Sequence, residues 1–292
     1  MKKVYLILPV LAGFMFGSSG IFVRTLTQNG IDNTTLLFLR FSIAIIPLLI
    51  AILLTDRKLL KIRLKDIGLF IVCAICIVGL NLGYNESMNT IPLSLAATLL
   101  STAPIFVIIF AYILFGEKIT LKKISCVILA VVGCLLMTGV LESSSLNIPL
   151  SGVLSGIIAA VFWAVYLIAS KKSIRNGNHT FTLLFYAIIM ISIALIPFSD
   201  LSQINTFIST NPVITILFLI LHSTFSFALP YILSTVSLNY IDSGISSILL
   251  SGAEPLAALL FGFAIYSEIP TILMFCGLIL TISSMMILTK SK

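Results

Sequence analysis

The chain has 292 residues, of which 59% are hydrophobic and only 9% are charged. Soluble domains average about 25% charged and 45–50% apolar residues, so the composition excludes a water-soluble globule of this size. A disordered chain is excluded as well, because it would need low hydrophobicity. Long unbroken apolar runs also differ from the short alternating segments of a transmembrane barrel. The composition therefore indicates a polytopic α-helical membrane protein.

Ten apolar runs follow one another along the chain. They lie at 4–24, 34–54, 67–88, 93–115, 121–140, 151–171, 180–198, 212–236, 244–266 and 269–289. Each run has about the 20 residues that a helix needs to cross a membrane. The first run continues to Val23 without a signal-peptide cleavage site, which predicts an uncleaved first helix. The sequence thus predicts an all-α polytopic membrane protein with ten transmembrane helices.

The distribution of the basic residues along the chain tests the predicted number of membrane spans. The chain carries 17 Lys and Arg against 10 Asp and Glu. With the N-terminus inside, every basic residue except Arg24 and Arg40 falls on the cytoplasmic side, which leaves 15 of the 17 there. This distribution follows the positive-inside rule and predicts that both termini are cytoplasmic. The net charge of +7 is explained by topology, so no nucleic-acid partner is expected.

The two halves of the chain resemble each other. Pro104 and Glu117 match Pro255 and Glu268, in both cases at an offset of 151 residues. The halves, 1–140 and 151–292, hold five predicted spans each, and an odd number of spans inverts the second half in the membrane. Inverted five-helix repeats are typical of alternating-access transporters, whose substrate binds near the membrane midplane between the repeats.

Four segments together resemble a known family. They are Pro104 to Gly116-Glu117-Lys118, Glu254-Pro255 to Ser267-Glu268, Trp163-Ala164-Val165-Tyr166 and Leu39-Arg40-Phe41. Over essentially the whole chain, the sequence resembles the drug/metabolite transporter superfamily, in particular the ten-helix EamA-type permeases. Ser267 departs from the pattern, which usually has glycine there. The resemblance implies export of small metabolites, often amino acids or their analogues, or of toxic compounds, usually by secondary active transport.

Charged side chains inside membrane helices are costly, which makes them candidates for function. Glu254 lies near the middle of the ninth run and is our first candidate for binding a coupling proton or ion. It could instead be a structural acid bonded to a neighbouring helix. Arg40, in the second run, could bind a substrate carboxylate or form an ion pair with Glu86 in the third run. Glu86 and His222 are further coupling candidates, although a neutral, packed histidine is the more common case.

Uncharged polar and aromatic residues complete the candidate substrate site. Asn81 and Asn85 share a helix face and could bind a ligand or join two helices. Trp163 and Tyr166 lie too deep for an interfacial aromatic belt, which favours cavity lining. The remaining candidates are Tyr231, Ser247 and Ser251, of which the two serines form a polar stripe with Glu254.

Other signals in the sequence are structural or absent. Glycine pairs at 13 and 17, 79 and 83, and 152 and 156 predict close helix contacts. Cys73 and Cys76 have CxxC spacing without a neighbouring ligand, so packing is the preferred interpretation. The sequence shows no P-loop, zinc-protease motif or nucleophile–base pair, so neither an enzyme nor a cofactor or metal is expected.

From the sequence we hypothesise that the protein exports amino-acid-like metabolites across the plasma (inner) membrane of a bacterium. Coupling of this export to protons is one possibility. The alternatives are an uncoupled facilitator or exchanger, a multidrug exporter of organic cations and, at lower rank, an intramembrane enzyme or a membrane scaffold. The expected partners are a small-molecule substrate and the lipid bilayer, with the protein a monomer or a homodimer.

Overall fold

The computed structural model describes residues 2–28, 30–91, 93–137, 149–210, 212–266 and 271–289. Throughout these ranges the regular secondary structure is helical. The α-helices are α1 (Ile7–Gly17), α2 (Ser19–Gln28), α3 (Asn33–Thr55), α4 (Ile67–Thr90), α5 (Leu93–Leu100), α6 (Ala103–Phe115), α7 (Leu121–Met137), α8 (Leu150–Arg175), α9 (Thr180–Leu195), α10 (Leu201–Thr210), α11 (Pro212–Ser223), α12 (Leu229–Ser237), α13 (Ser243–Tyr266) and α14 (Ile272–Thr289). Ser267 and Glu268 of the second repeat lie outside the described residues.

The all-helical membrane architecture is confirmed. Within the described ranges, nine segments are long and apolar enough to cross a membrane. The fifth predicted span corresponds to α7, which has 17 residues and ends where the described segment ends. The number of ten spans therefore stays a prediction.

Three of the predicted spans are interrupted rather than continuous α-helices. The first breaks at Ser18, whose hydroxyl donates to the Met15 carbonyl at 2.6 Å and so competes with the helical backbone bonds. The fourth breaks between α5 and α6, just before Pro104, which has no N–H to continue the helix. The eighth contains a π-helix, Thr224–Ala228, between α11 and α12. In the sequence, each of these three spans is a single uninterrupted apolar run.

Helix α10 is an element that the sequence analysis did not predict. It lies in the separator between the seventh and eighth spans, where ten residues are too few to cross a membrane. Its Ile204 and Phe207 pack beside Leu26 and Leu36, at the ends of α2 and α3. The Gln203 side-chain carbonyl also accepts a hydrogen bond from the Asp32 N–H at 3.0 Å. The helix is thus anchored on the rim of the bundle.

Helices of one half pack mainly against helices of the other. The pairs α3 with α9, α6 with α13, and α7 with α14 each join corresponding spans of the two halves. The remaining pairs also correspond between the halves. The third span of each half packs on the first span of the other, since α4 contacts α8 and α12 contacts α1. The first span of each half likewise packs on the fourth span of the other, since α1 contacts α13 and α8 contacts α5 and α6. This arrangement is the one expected of two intertwined repeats around a shared axis.

The predicted glycine contacts are confirmed. A Cβ atom added to Gly17 would lie 2.7 Å from the Cβ of Ala257, and one added to Gly13 would lie 2.8 Å from that of Ala253. Helix α1 therefore lies directly on the α13 backbone around Glu254. The other two pairs lie between α8 and the α4–α5 segment: a Cβ atom at Gly79 would lie 2.6 Å from Phe162 and one at Gly156 would lie 2.7 Å from Leu99, whereas one at Gly83 would have its nearest contact at 3.1 Å. Small residues let the backbones approach within van der Waals contact.

Ion pairs close one end of the bundle, which we call the basic end and define by segments 56–66, 116–123, 171–178 and 238–243. Lys171 pairs with Glu117 at 2.6 Å, and both side chains are more than nine-tenths buried. The Ser243 hydroxyl donates to the same Glu117 oxygen at 3.1 Å. Lys123 pairs with Asp242 at 3.0 Å. Both ion pairs join the first half of the chain to the second.

Candidate functional site: a central cavity between the halves

A cavity with two connected lobes lies at the centre of the bundle. The inner lobe has about 390 Å³ of space between the atoms, a volume that includes space open to the outside. It is lined by Phe16, Leu80, Leu100, Ser101, Trp163, Tyr231, Leu250, Ser251 and Glu254. The outer lobe encloses about 700 Å³, a volume that includes space open to the outside. Both halves of the chain contribute to both lobes.

The outer lobe extends away from the basic end. Its lining adds Asn33, the first residue of α3, and Met88, near the end of α4. It also holds Arg40, Asn81, Asn85, Tyr84, Ser19 and Ser226. The cavity in this conformation is therefore directed toward the end of the bundle that carries α10.

Arg40 is a buried cation in the outer lobe. Its Nη2 donates to the Asn81 side-chain carbonyl at 2.6 Å, and its guanidinium lies 5.0 Å from the centre of the Phe227 ring. Its Nε has no partner among the described residues. The guanidinium is held by an amide and an aromatic face rather than by an acid, so it can still accept an anionic group.

The alternative considered for Arg40, an ion pair with Glu86, is not formed among the described residues. Glu86 is exposed, and it is absent from the described lining of both lobes. The helical geometry explains this. Glu86 follows Asn81 by five positions on α4, and at about 100° per residue their side chains point about 140° apart. Asn81 faces Arg40, and Glu86 therefore faces away. Its coupling role stays a prediction without support from the position of the side chain.

The two asparagines differ in their contacts, and ligand binding by either stays a prediction. Asn81 accepts from Arg40 and donates from Nδ2 to the Ile77 carbonyl at 2.7 Å. Asn85 lies one turn further along α4 and lines the outer lobe beside Tyr84. Asn81 thus positions the guanidinium between two helices, and Asn85 offers an amide to the cavity.

Glu254 lines both lobes. Within the described part of the chain, no hydrogen-bond donor or basic side chain is paired with its carboxylate. Ser251, one turn earlier, lines the inner lobe. Ser247 is fully buried outside the described lining, and its hydroxyl has no partner there. The predicted polar stripe therefore contributes Ser251 and Glu254 to the cavity but not Ser247.

Aromatic rings form one wall of the inner lobe. Trp163 meets Tyr231 edge to face, with ring centres 5.6 Å apart, and contacts Phe16 in the same way at 5.8 Å. Tyr166 stacks behind Trp163 at 5.3 Å and is fully buried, with its hydroxyl 2.7 Å from that of Thr235. The expectation that Tyr166 lines the cavity is thus corrected, since it supports Trp163 from behind.

His222 is buried beside the cavity rather than in its described lining. Its ring stacks on Phe22 at 5.2 Å, and it is 1% exposed. Neither ring nitrogen has a partner among the described residues. The histidine is therefore packed, as the more common case predicts, but it is not satisfied by hydrogen bonds.

Several lining residues escaped the sequence analysis. Phe16, Tyr84 and Ser101 belong to the cavity, and Ser18 contacts Ser226 at 3.1 Å between the break in the first span and the π-helix. The repeat offered one signal, because Phe16 before Gly17 corresponds to Phe162 before Trp163. Helix breaks at the membrane centre are a further mark of transporter binding sites.

Comparisons with known proteins agree with this architecture. The sequence profile of the EamA-like transporter family matches residues 3–139 and again residues 150–290. A protein of Archaeoglobus fulgidus, named as an uncharacterized transporter, is 29% identical and covers 100% of this chain and 99% of its own length. A protein of Clostridium kluyveri with the same description is 28% identical over 67% of this chain and 66% of its own.

A crystal structure of a protein with 14% sequence identity has a similar fold. The two structures superpose with a TM-score of 0.78 over 98% of this chain and 96% of the other.

Proposed function

Because the chain belongs to the EamA-like transporter family, we propose that it is a secondary active transporter that exports small amphipathic metabolites. Amino acids and related compounds are the substrates that we expect first. The observation that carries this proposal is the pair of opposite charges in one cavity. Arg40 lacks an acidic partner and Glu254 lacks a donor, both within the described residues. A substrate that carries a carboxylate and an ammonium group would satisfy both.

Alternating access fits the way in which the two ends of the bundle differ. The cavity extends away from the basic end, where the Lys171–Glu117 and Lys123–Asp242 pairs join the halves. For the cavity to reach the other side of the membrane, these pairs must separate while the halves rock about the central site. By the positive-inside rule the basic end is cytoplasmic, in a plasma membrane, so substrate leaves through the outer lobe.

Two variants test the proposal in proteoliposomes that hold the purified protein. We expect Arg40→Ala to abolish flux of zwitterionic and anionic compounds, since the fixed cation is lost. We expect Glu254→Gln to impair flux of compounds with an ammonium group and to remove any response to an imposed pH gradient. Asp56→Asn is the control, because it neutralises an exposed carboxylate that lies at the basic end and outside the described lining of the cavity. If the purified protein transports none of the metabolites in a broad panel, the proposal is contradicted.

Export of organic cations is the second candidate, and the inner lobe favours it. Aromatic rings attract cations through their faces, and Trp163, Tyr231 and Phe16 lie beside the Glu254 carboxylate there. The described lining of this lobe includes no Lys or Arg. In the same liposomes, organic-cation flux that survives Arg40→Ala and is lost in Glu254→Gln would select this function over the first.

A further inference from the structure

Two prolines at repeat-related positions lie in helices beside the inner lobe, and each removes one helical hydrogen bond. Pro104 lies at the start of α6, and Pro255 lies within α13. Proline has no N–H, so the carbonyl four residues earlier loses its helical donor. Those carbonyls belong to Leu100 and Ser251, and both residues line the inner lobe.

The backbone hydrogen bonds at the first interruption do not replace the lost donors. The Thr102 N–H donates to the Leu99 carbonyl at 3.1 Å, and the Ile105 N–H donates to the Thr102 carbonyl at 2.9 Å instead of to that of Ser101. The carbonyls of Leu100 and Ser101 have thus lost their α-helical donors. They lie at the C-terminal end of α5, where the helix dipole is negative.

Helix α13 continues through Pro255, and the Ser251 carbonyl has a partner on α7 that is not part of the described lining of the lobe. The Ser251 carbonyl accepts a hydrogen bond from the Cys134 thiol at 3.8 Å, and a thiol is a weak donor. At the first interruption, the Ser101 hydroxyl donates to the Ala97 carbonyl at 2.9 Å. Its oxygen therefore keeps lone pairs for a ligand, as a hydroxyl does when it donates its single hydrogen.

A single negative charge completes this group of oxygen atoms. Glu254 lines the same lobe, and its repeat counterpart is Ala103, so the symmetry of the halves does not supply a second carboxylate. One carboxylate can neutralise a monovalent cation, whereas a divalent ion would keep an uncompensated buried charge. Unwound carbonyls and the C-terminal ends of half-helices are known ligands for sodium ions in transporters.

We propose that the inner lobe is a binding site for a compact monovalent cation, either Na⁺ or the primary ammonium group of the transported compound. The Glu254 carboxylate, the hydroxyls of Ser101 and Ser251 and the Leu100 carbonyl released by Pro104 hold it. The proposed binding of the cation depends only on these oxygen atoms. A coupling role for the cation rests on the proposed transport function.

The test is thermal unfolding of the purified full-length protein in detergent. Chloride salts of sodium and of methylammonium are titrated at constant ionic strength against choline chloride, whose quaternary ammonium has no N–H to donate and whose methyl groups keep its charge away from the oxygen atoms. We expect a saturable rise of the melting temperature with Na⁺ or methylammonium but not with choline. In Glu254→Gln the half-saturating concentration should rise by at least about tenfold. Asp56→Asn, which neutralises an exposed carboxylate at the basic end, should respond like the wild type.

A milder variant guards against misfolding of Glu254→Gln. Ser101→Ala keeps the carboxylate and should weaken cation binding while the protein remains folded. A response to Na⁺ alone identifies the inorganic ion, and a response to methylammonium alone identifies a subsite for the substrate's ammonium group. Equal effects of choline and Na⁺, or an unchanged response in both variants, would overturn the site.

Flux measurements separate this site from the proposed function. A protein that binds Na⁺ or methylammonium through Glu254 but moves no metabolite would keep the site and contradict transport. Metabolite flux that is equal in sodium and choline media and unchanged in Glu254→Gln and Ser101→Ala would keep transport and contradict the site.

Discussion

At the scale of single residues, Arg40 is a buried cation that has no ion-pair partner among the described residues. Its guanidinium is 9% exposed, hydrogen-bonded to Asn81 and placed over Phe227. Burying an ion without an ion pair costs several kcal/mol, which a substrate carboxylate would recover on binding. A planar guanidinium can stack and form forked hydrogen bonds at the same time, and an ammonium group cannot.

Replacement of Arg40 by lysine should therefore not be conservative. We expect Arg40→Lys to raise the KM for a carboxylate-bearing substrate by at least about tenfold, since a charge-assisted hydrogen bond contributes about 1.5–3 kcal/mol. Initial rates of efflux from proteoliposomes measure this effect. Arg57→Lys, at an exposed position beyond α3, is the matched control. Equal KM values for all three proteins would show that Arg40 does not touch the substrate.

At the scale of helices, the contact between α1 and α13 places the site. Gly13 and Gly17 lie against the backbone that carries Glu254, so α1 can approach only because these residues lack side chains. The same helix leads into the break at Ser18 and presents Phe16 to the cavity. Small changes at this contact should therefore affect stability and the cavity together.

Adding one methyl group tests this contact. We expect Gly17→Ala to lower stability by about 1–3 kcal/mol, because the new Cβ would overlap Ala257 and the α13 backbone. Gly68→Ala is the control, since a Cβ there meets nothing within 4 Å. Alanine at that helical position should be neutral or stabilising. Thermal unfolding of the purified variants compares the two, and equal melting temperatures would contradict the tight packing.

The N-terminus of α3 gives a pH-dependent prediction. Burial raises the pKa of the Asp32 carboxyl, but hydrogen bonds from Thr35 and Thr34 outweigh this and leave the pKa below its usual value. A lowered pKa means that the stabilisation is present above the unfolded pKa, near 3.9, and is lost as the pH falls through the folded value.

Asn can cap a helix without this charge. We therefore expect the stability advantage of the wild type over Asp32→Asn at pH 7 to shrink below about pH 4. The measurement is the difference between the two melting temperatures as a function of pH. A difference that is constant from pH 7 to pH 3 would show that the carboxylate charge does not contribute.

At the scale of the whole molecule, the ion pairs of the basic end hold the halves together on one side of the cavity. Glu117 and Lys171 come from opposite halves, and Ser243 adds a third contact. Removing one member of a buried pair leaves an uncompensated charge and costs about 3–5 kcal/mol. In the proposed alternating-access cycle, this contact would bias the protein toward the conformation that is closed at the basic end.

Lys171→Gln should shift that balance. In a cysteine-free background with Ser101→Cys in the cavity, we expect an impermeant maleimide added at the basic end to react at least about tenfold faster in Lys171→Gln. Lys172→Gln, at the exposed neighbouring position, is the control and should leave the rate unchanged. Equal rates in all backgrounds would mean that the pair does not control access.

Much of the site could be predicted from the sequence, and the errors have physical causes. Arg40, Asn81, Asn85, Trp163, Tyr231, Ser251 and Glu254 line the cavity, because a polar or aromatic residue deep in an apolar helix needs a special environment. Tyr166, Ser247, His222 and Glu86 lie outside the described lining, since hydropathy gives the depth of a residue but not the direction it faces. That direction depends on which helices are neighbours.

The sequence by itself determined the all-helical membrane architecture, the repeat and the residues that could carry charge within it. These features follow from composition and spacing, which act locally along the chain. Only the tertiary structure decided that Arg40 bonds Asn81 rather than Glu86, that α1 lies on the backbone at Glu254, and that three spans are interrupted beside the cavity. Helix contacts in a membrane depend on close packing and hydrogen bonds between distant segments, which hydropathy does not record.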